Sequence, residues 1–191
     1  MIARWFESLR KALLPGLFAL ALLLGLAPAA RAQGIELTSA AAHRQDGAIL
    51  LDVTASVTLS KGVEDALRRG VPAYFTAEAA VYRSRWYWRD DRVARASRSW
   101  RLSFQPLTSA WRVSLAGFSQ SYPSLEEAMT AITRLAHWKI AEPGSFDPDQ
   151  PHLYVEFSYR LDASQLPRPM QLDLGAQADW RLGVERTLKV E

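Results

Sequence analysis

The chain has 191 residues, with 23 Lys and Arg against 20 Asp and Glu, and it contains no cysteine. Without thiols there are no disulfides, no thiol catalysis and no cysteine-ligated metal, so core packing alone must hold the fold. The first 32 residues carry Arg4, Arg10, Lys11 and Arg31 against Glu7, and taking these from 23 and 20 leaves 19 of each sign, so the basicity of the chain as a whole argues for no nucleic-acid partner.

Residues 1–32 read as a cleavable secretory signal peptide. Arg4, Arg10 and Lys11 form a positive n-region, Leu13 to Leu26 an apolar h-region, and Ala30-Arg31-Ala32 places small residues where a signal peptidase reads them, with the cut before Gln33. The apolar run falls short of the roughly 20 residues a spanning helix needs. The expectation is Sec-type export to the periplasm, leaving one domain over residues 33–191. The alternative is an uncleaved inner-membrane anchor, and membrane contact is expected only through such a retained leader.

Gly34 to His43 and Ala48 to Leu59 are predicted to form a hairpin, linked by Arg44-Gln45-Asp46-Gly47 with its Asp-Gly turn signal. Ile49, Leu51, Val53, Ala55, Val57 and Leu59 alternate with Asp52, Thr54, Ser56 and Thr58, which describes a sheet with one buried face. Ser60 to Arg69 reads as a short helix, N-capped by Ser60 and ended by Gly70 and Pro72. Ala73 to Trp88 is a predicted aromatic strand, followed by strands over Arg92 to Leu107 and Ala110 to Phe118. Ser124 with Glu127 makes a capping box, and an apolar stripe from Leu125 through Met129 to Leu135 predicts a helix to about Trp138. His152 to Leu161 and a segment from near Trp180 to Val190 are the last strands, separated by Pro167-Arg168-Pro169. The fold class is mainly β (α+β): an antiparallel sheet or sandwich of about seven strands with two helices.

Chemistry is sparse. His43, His137 and His152 sit in no metal or protease spacing. Asp147, Asp149 and His152 form the one acid–histidine cluster, in a loop whose prolines read as punctuation. No cofactor, metal or catalytic motif is recognisable, and no catalytic residue is assigned. The distinctive stretch runs from Tyr82 to Asp91, and Asp90-Asp91 is expected to turn it into a second arginine series. Arg83, Arg85, Trp86, Trp88, Arg89, Arg92, Arg95, Arg98 and Arg101 form the candidate interaction surface. Guanidinium groups bind carboxylates and phosphates in pairs of hydrogen bonds and stack on indoles, and tryptophans anchor contacts. The competing reading is a solvated sheet face with paired arginines and core tryptophans. A three-residue arginine spacing would make one face on a helix and both faces on a strand, and the alternation downstream favours strand.

The run Val63 to Phe75, then Tyr82 to Trp88, resembles the proteobacterial family called domain of unknown function 4390. So do Trp100-Arg101-Leu102-Ser103, Trp111-Arg112-Val113-Ser114 and Ser164 to Pro169. The resemblance covers the mature chain and the leader. It implies an exported protein of the proline-rich signal peptide type, often encoded beside a membrane sensor kinase of nitrogen regulation, and it implies no known activity. The expected function is a non-enzymatic binding or protein-interaction module of the cell envelope, its partner a periplasmic or membrane protein such as a sensor-kinase ectodomain. The alternative is an envelope-acting hydrolase, which would bring a histidine against a carboxylate or hydroxyl.

Overall fold

Strand alternation divides this chain into an inside and an outside. The computed structural model describes residues 34–87, 89–147, 152–166, 168, 170–171 and 177–191. The predicted leader, Trp88, Asp149, Pro167 and Pro169 lie outside the described residues. β1 (Gly34–Gln45) and β2 (Ala48–Thr58) form the expected hairpin. Arg44 and Gln45 pair with Ile49 and Ala48, so the link is only Asp46-Gly47. Both residues have positive φ, 52° and 75°, as a turn matched to strand twist requires. Ile49, Leu51, Val53 and Ala55 are buried, as the alternation requires.

α1 (Lys61–Arg68) starts where Ser60 Oγ accepts the Val63 N–H at 3.2 Å, and it buries Val63, Ala66 and Leu67. β3 (Ala73–Arg83) and β4 (Asp91–Gln105) follow. The first of these stops five residues before the expected Trp88. The Asp90 carboxylate takes the Arg85 N–H at 3.1 Å, which bends the chain out of the ladder. The expected strand from Ala110 to Phe118 is two strands, β5 (Ala110–Leu115) and β6 (Phe118–Tyr122), split by a turn at Ala116 and Gly117, with φ of 48° and 88°.

α2 (Leu125–Thr133) is capped as expected, with Ser124 Oγ accepting the Glu127 N–H at 3.1 Å. It does not reach Trp138, because Arg134–Ala141 is a strand, β7. Leu135 pairs with Val53 and Trp138 with Leu51, and the bulge between them, with His137 at φ 49°, restores both side chains to the buried face. That bulge spaces two inward residues three apart, which in sequence looks like a helical turn. β8 (Leu153–Leu161) and β9 (Gly183–Lys189) complete nine strands among the described residues, against about seven expected.

Among the described residues the strands β1 to β9 pair antiparallel, and one isolated parallel bridge joins Ala42 to Val190. One sheet has the order β1-β2-β7 and the other β6-β5-β4-β3-β8-β9. The fold of the described residues is thus mainly antiparallel β with the two helices α1 and α2. The core is built from the inner faces of both sheets. Phe75 stacks on Tyr159 with ring centroids 6.0 Å apart, and the buried Tyr159 hydroxyl donates to the Ile132 carbonyl at 3.2 Å. The chain end ties the sheets together: Glu191 N–H donates to Ala42 O at 3.0 Å, and Arg44 N–H donates to Glu191 O at 2.9 Å. Among the described residues, no helix is long and apolar enough to cross a membrane.

Candidate functional site

The long β3–β4 hairpin positions the arginine and tryptophan residues, and its register separates them. Phe75, Ala77, Ala79 and Val81 are fully buried, so their cross-strand partners Trp100, Arg98, Ala96 and Ala94 face inward as well. Tyr82 pairs with Arg92 while Val81 pairs with Ala94, so Val93 is an extra residue, a bulge. The bulge moves Arg92 onto the outer face with Arg95 and Arg101, which lie opposite Ala80 and Tyr74. Arg98 alone turns inward. Its guanidinium lies over the Trp138 ring, 5.2 Å from the centroid, and burial lowers its pKa. The strand assignment therefore holds, with three arginines on one face and one on the other.

On the outer face, Glu78 accepts from Arg95 at 2.6 Å and from Arg160 of β8 at 2.7 Å. The Arg160 bond, then the Arg95 bond, hold the Glu78 carboxyl below its ordinary value of 4.5. Each arginine sits diagonal to Glu78 across a strand, the geometry in which long side chains pair on a sheet. The shallow groove beside them, about 380 Å³, is lined by Arg92 and Arg186 together with Glu156 and Glu185. Its mixed charge suits no polyanion.

The loop from Ser84 to Asp90 is a different environment. Asp91 accepts from Arg83 at 2.5 Å and from Arg85 at 3.0 Å. Asp90 accepts from the Arg85 N–H and from the Tyr154 hydroxyl, the latter at 2.6 Å. Those two bonds hold the Asp90 carboxyl below the usual carboxylate range, and the bond to Asp90 pushes the Tyr154 phenol up to about 12. Both ends of the loop are thus anchored by hydrogen-bonded carboxylates. At its tip Trp86 is 94% exposed and Tyr87 68% exposed, packed edge-on with centroids 5.1 Å apart, and Arg89, later in the loop, is exposed as well. Trp100, by contrast, is a core residue at 5% exposure. The arginine series is largely tied into the sheet, and among the described residues of this hairpin the exposed aromatic rings are Trp86 and Tyr87; Phe118 on β6 is also exposed.

A second cluster had no linear signature. The Asp52 carboxylate on β2 lies 3.5 Å from His43 Nδ1 on β1 and 3.9 Å from His137 Nδ1 on β7, and it accepts the His137 N–H at 2.8 Å. Spread over three strands, these residues come together only through pairing and the β7 bulge. The arrangement supplies a base and an orienting carboxylate, but among the described residues no serine or threonine hydroxyl bonds either imidazole. Nor does any group of three histidine or acidic residues among them form a metal cradle. Asp52 here caps a strained bulge residue.

No curated protein and no solved structure matches the chain. The model of one family matches residues 32–189, nearly the whole of the exported part expected from the sequence. The chain therefore belongs to the domain of unknown function family DUF4390.

Proposed function

We propose that this protein is an exported, periplasmic, non-enzymatic binding module of the cell envelope, and that its contact residue is Trp86 at the tip of the β3–β4 hairpin. The observation that carries this reading is a tryptophan 94% exposed on a loop whose two ends are anchored by Asp90 and Asp91. An indole left in water costs transfer free energy, about 2–3 kcal/mol for a side chain of this size. Anchoring the two ends of the loop removes part of the ordering cost that a contact would otherwise carry. Tyr87 widens the apolar face and the exposed Arg89 of the same loop adds a donor fork, the residue types that dominate contact energies. The partner is a periplasmic or membrane-embedded protein, with a sensor-kinase ectodomain as the specific candidate.

The experiment is affinity recovery from solubilised membranes with the full chain and with a Trp86→Ala/Tyr87→Ala variant, both checked for folding by circular dichroism. Recovery of the same partner is expected to fall by about tenfold or more in the variant. Equal recovery by both folded chains would remove the loop tip as the contact. The hydrolase alternative has the His43–Asp52 contact in its favour, with no serine or threonine hydroxyl bonded to it among the described residues.

A further inference from the structure

β2 is paired along its whole length on one edge only. β1 covers one edge through Gly34 to Leu37, opposite Thr58 to Ala55. On the other edge, β7 pairs only with residues Ile49 to Thr54, because the chain before Arg134 is the helix α2. Among the described residues, the stretch from Ala55 to Thr58 therefore has a free edge, with alternate backbone N–H and C=O groups directed away from β1.

A groove of about 490 Å³ runs along that edge. One wall is the end of β2 from Ala55 to Thr58 with Leu59 after it, and the other is a single face of α2 that includes Leu125, Met129 and Thr133. Val57, Leu59, Leu125 and Met129 are partly buried and pack against the core, so the floor is apolar and already formed. The size falls within the usual range of binding clefts. Its charge is one-sided. Glu64 of α1 and Glu126 of α2 line it, and every other described residue lining it is apolar or hydroxyl-bearing.

We propose that this groove binds an extended peptide segment by strand addition to β2. The segment alternates apolar and basic side chains. Its backbone completes the ladder along Ala55 to Thr58, a span of about 13 Å. Its apolar side chains enter between Val57 and Met129, and its lysines or arginines meet Glu64 and Glu126. The acids also disfavour acidic segments, which gives the groove selectivity as well as affinity. This site is separate from the β3–β4 loop, and neither reading depends on the other.

The test uses the full chain and a capped synthetic heptapeptide alternating lysine and valine, with a glutamate–valine peptide as control. Binding is followed by fluorescence anisotropy and mapped by amide chemical shifts. The lysine peptide is expected to saturate, to shift the amides of Ala55 to Leu59 and Leu125 to Thr130, and to bind about tenfold or more tightly than the glutamate peptide. A Met129→Trp variant, which fills the groove, is expected to lose binding. A Glu64→Lys/Glu126→Lys variant, changed only at side chains that reach solvent, is expected to reverse the charge preference, and it decides the matter if Met129→Trp does not fold. Absence of binding by the lysine peptide, shifts that map elsewhere, or unchanged preference in the charge-reversed variant would each overturn the proposal.

Discussion

Asp90 and Glu78 are both carboxylates held in their charged form, yet they do different work. Asp90 organises a loop: it accepts from the Tyr154 hydroxyl at 2.6 Å and from the Arg85 N–H at 3.1 Å. Removing its charge by Asp90→Asn should bring the Tyr154 phenol down from about 12 toward the ordinary tyrosine value of 10, since the bond to the carboxylate is the first cause of the rise. Alkaline difference absorbance, with Tyr154→Phe identifying the band, reads this directly; an unmoved titration would mean the bond does not form in solution. Glu78 stitches three strands through Arg95 and Arg160. Its folded pKa lies below the unfolded one, so its contribution to stability is complete above about pH 4.5 and is lost as pH falls through the depressed value. Asp162, also held low, acts with the same sign. The urea midpoint of Glu78→Gln is therefore expected to depend less steeply on pH below about pH 5 than that of the unaltered chain. Identical slopes would argue that the pairs are open in solution.

At the scale of elements, β4 shows how one extra residue sorts a charge pattern. Arginines at 92, 95, 98 and 101 repeat every third residue, which without a bulge would place 92 and 98 on one face and 95 and 101 on the other. The Val93 bulge leaves Arg98 as the single inward arginine, over Trp138. An inward guanidinium stacked on an indole contributes through packing of its stem and through cation–π attraction. Arg98→Ala is expected to destabilise the fold by about 1–2 kcal/mol in urea unfolding, and Arg101→Ala on the outer face by less than about 0.5 kcal/mol. Equal effects would contradict the inward placement. The β7 bulge works in the same way: with His137 at φ 49° and its N–H bound by Asp52, Leu135 and Trp138 both reach the core.

At the scale of the whole molecule, two sheets of unequal width enclose the core without a disulfide. The wide sheet carries the hairpin loop, and in the narrow one, among the described residues, one edge of β2 has no strand partner where α2 interrupts the line of β7. The two proposed contact sites thus arise from opposite causes. One is an element that projects beyond the sheet, and the other is an element that stops short of completing it. A partner at each would make the chain a bridging module.

Much of this was legible in the residues alone. The alternation in β2 and β8, the Asp46-Gly47 turn, and the caps at Ser60 and Ser124 are local devices, set by side-chain size, turn chemistry and hydrogen bonding within a few residues. The family was legible too, in motifs spread along the chain. What sequence reading missed was decided by long-range pairing. The end of β3 at Arg83 depends on Asp90, which also takes the Tyr154 hydroxyl from 64 positions along the chain. The strand character of Arg134–Ala141 depends on β2, since its inward spacing imitates a helix. Which arginine turns inward depends on a bulge that shows only against the neighbouring strand. The His43–Asp52–His137 contact and the groove beside β2 exist only once three strands and a helix are assembled. Local free energies of about 1 kcal/mol suffice to place a cap or a turn. Choosing which faces meet, and which edge stays open, takes the burial of the whole core, and that is a property of the tertiary structure.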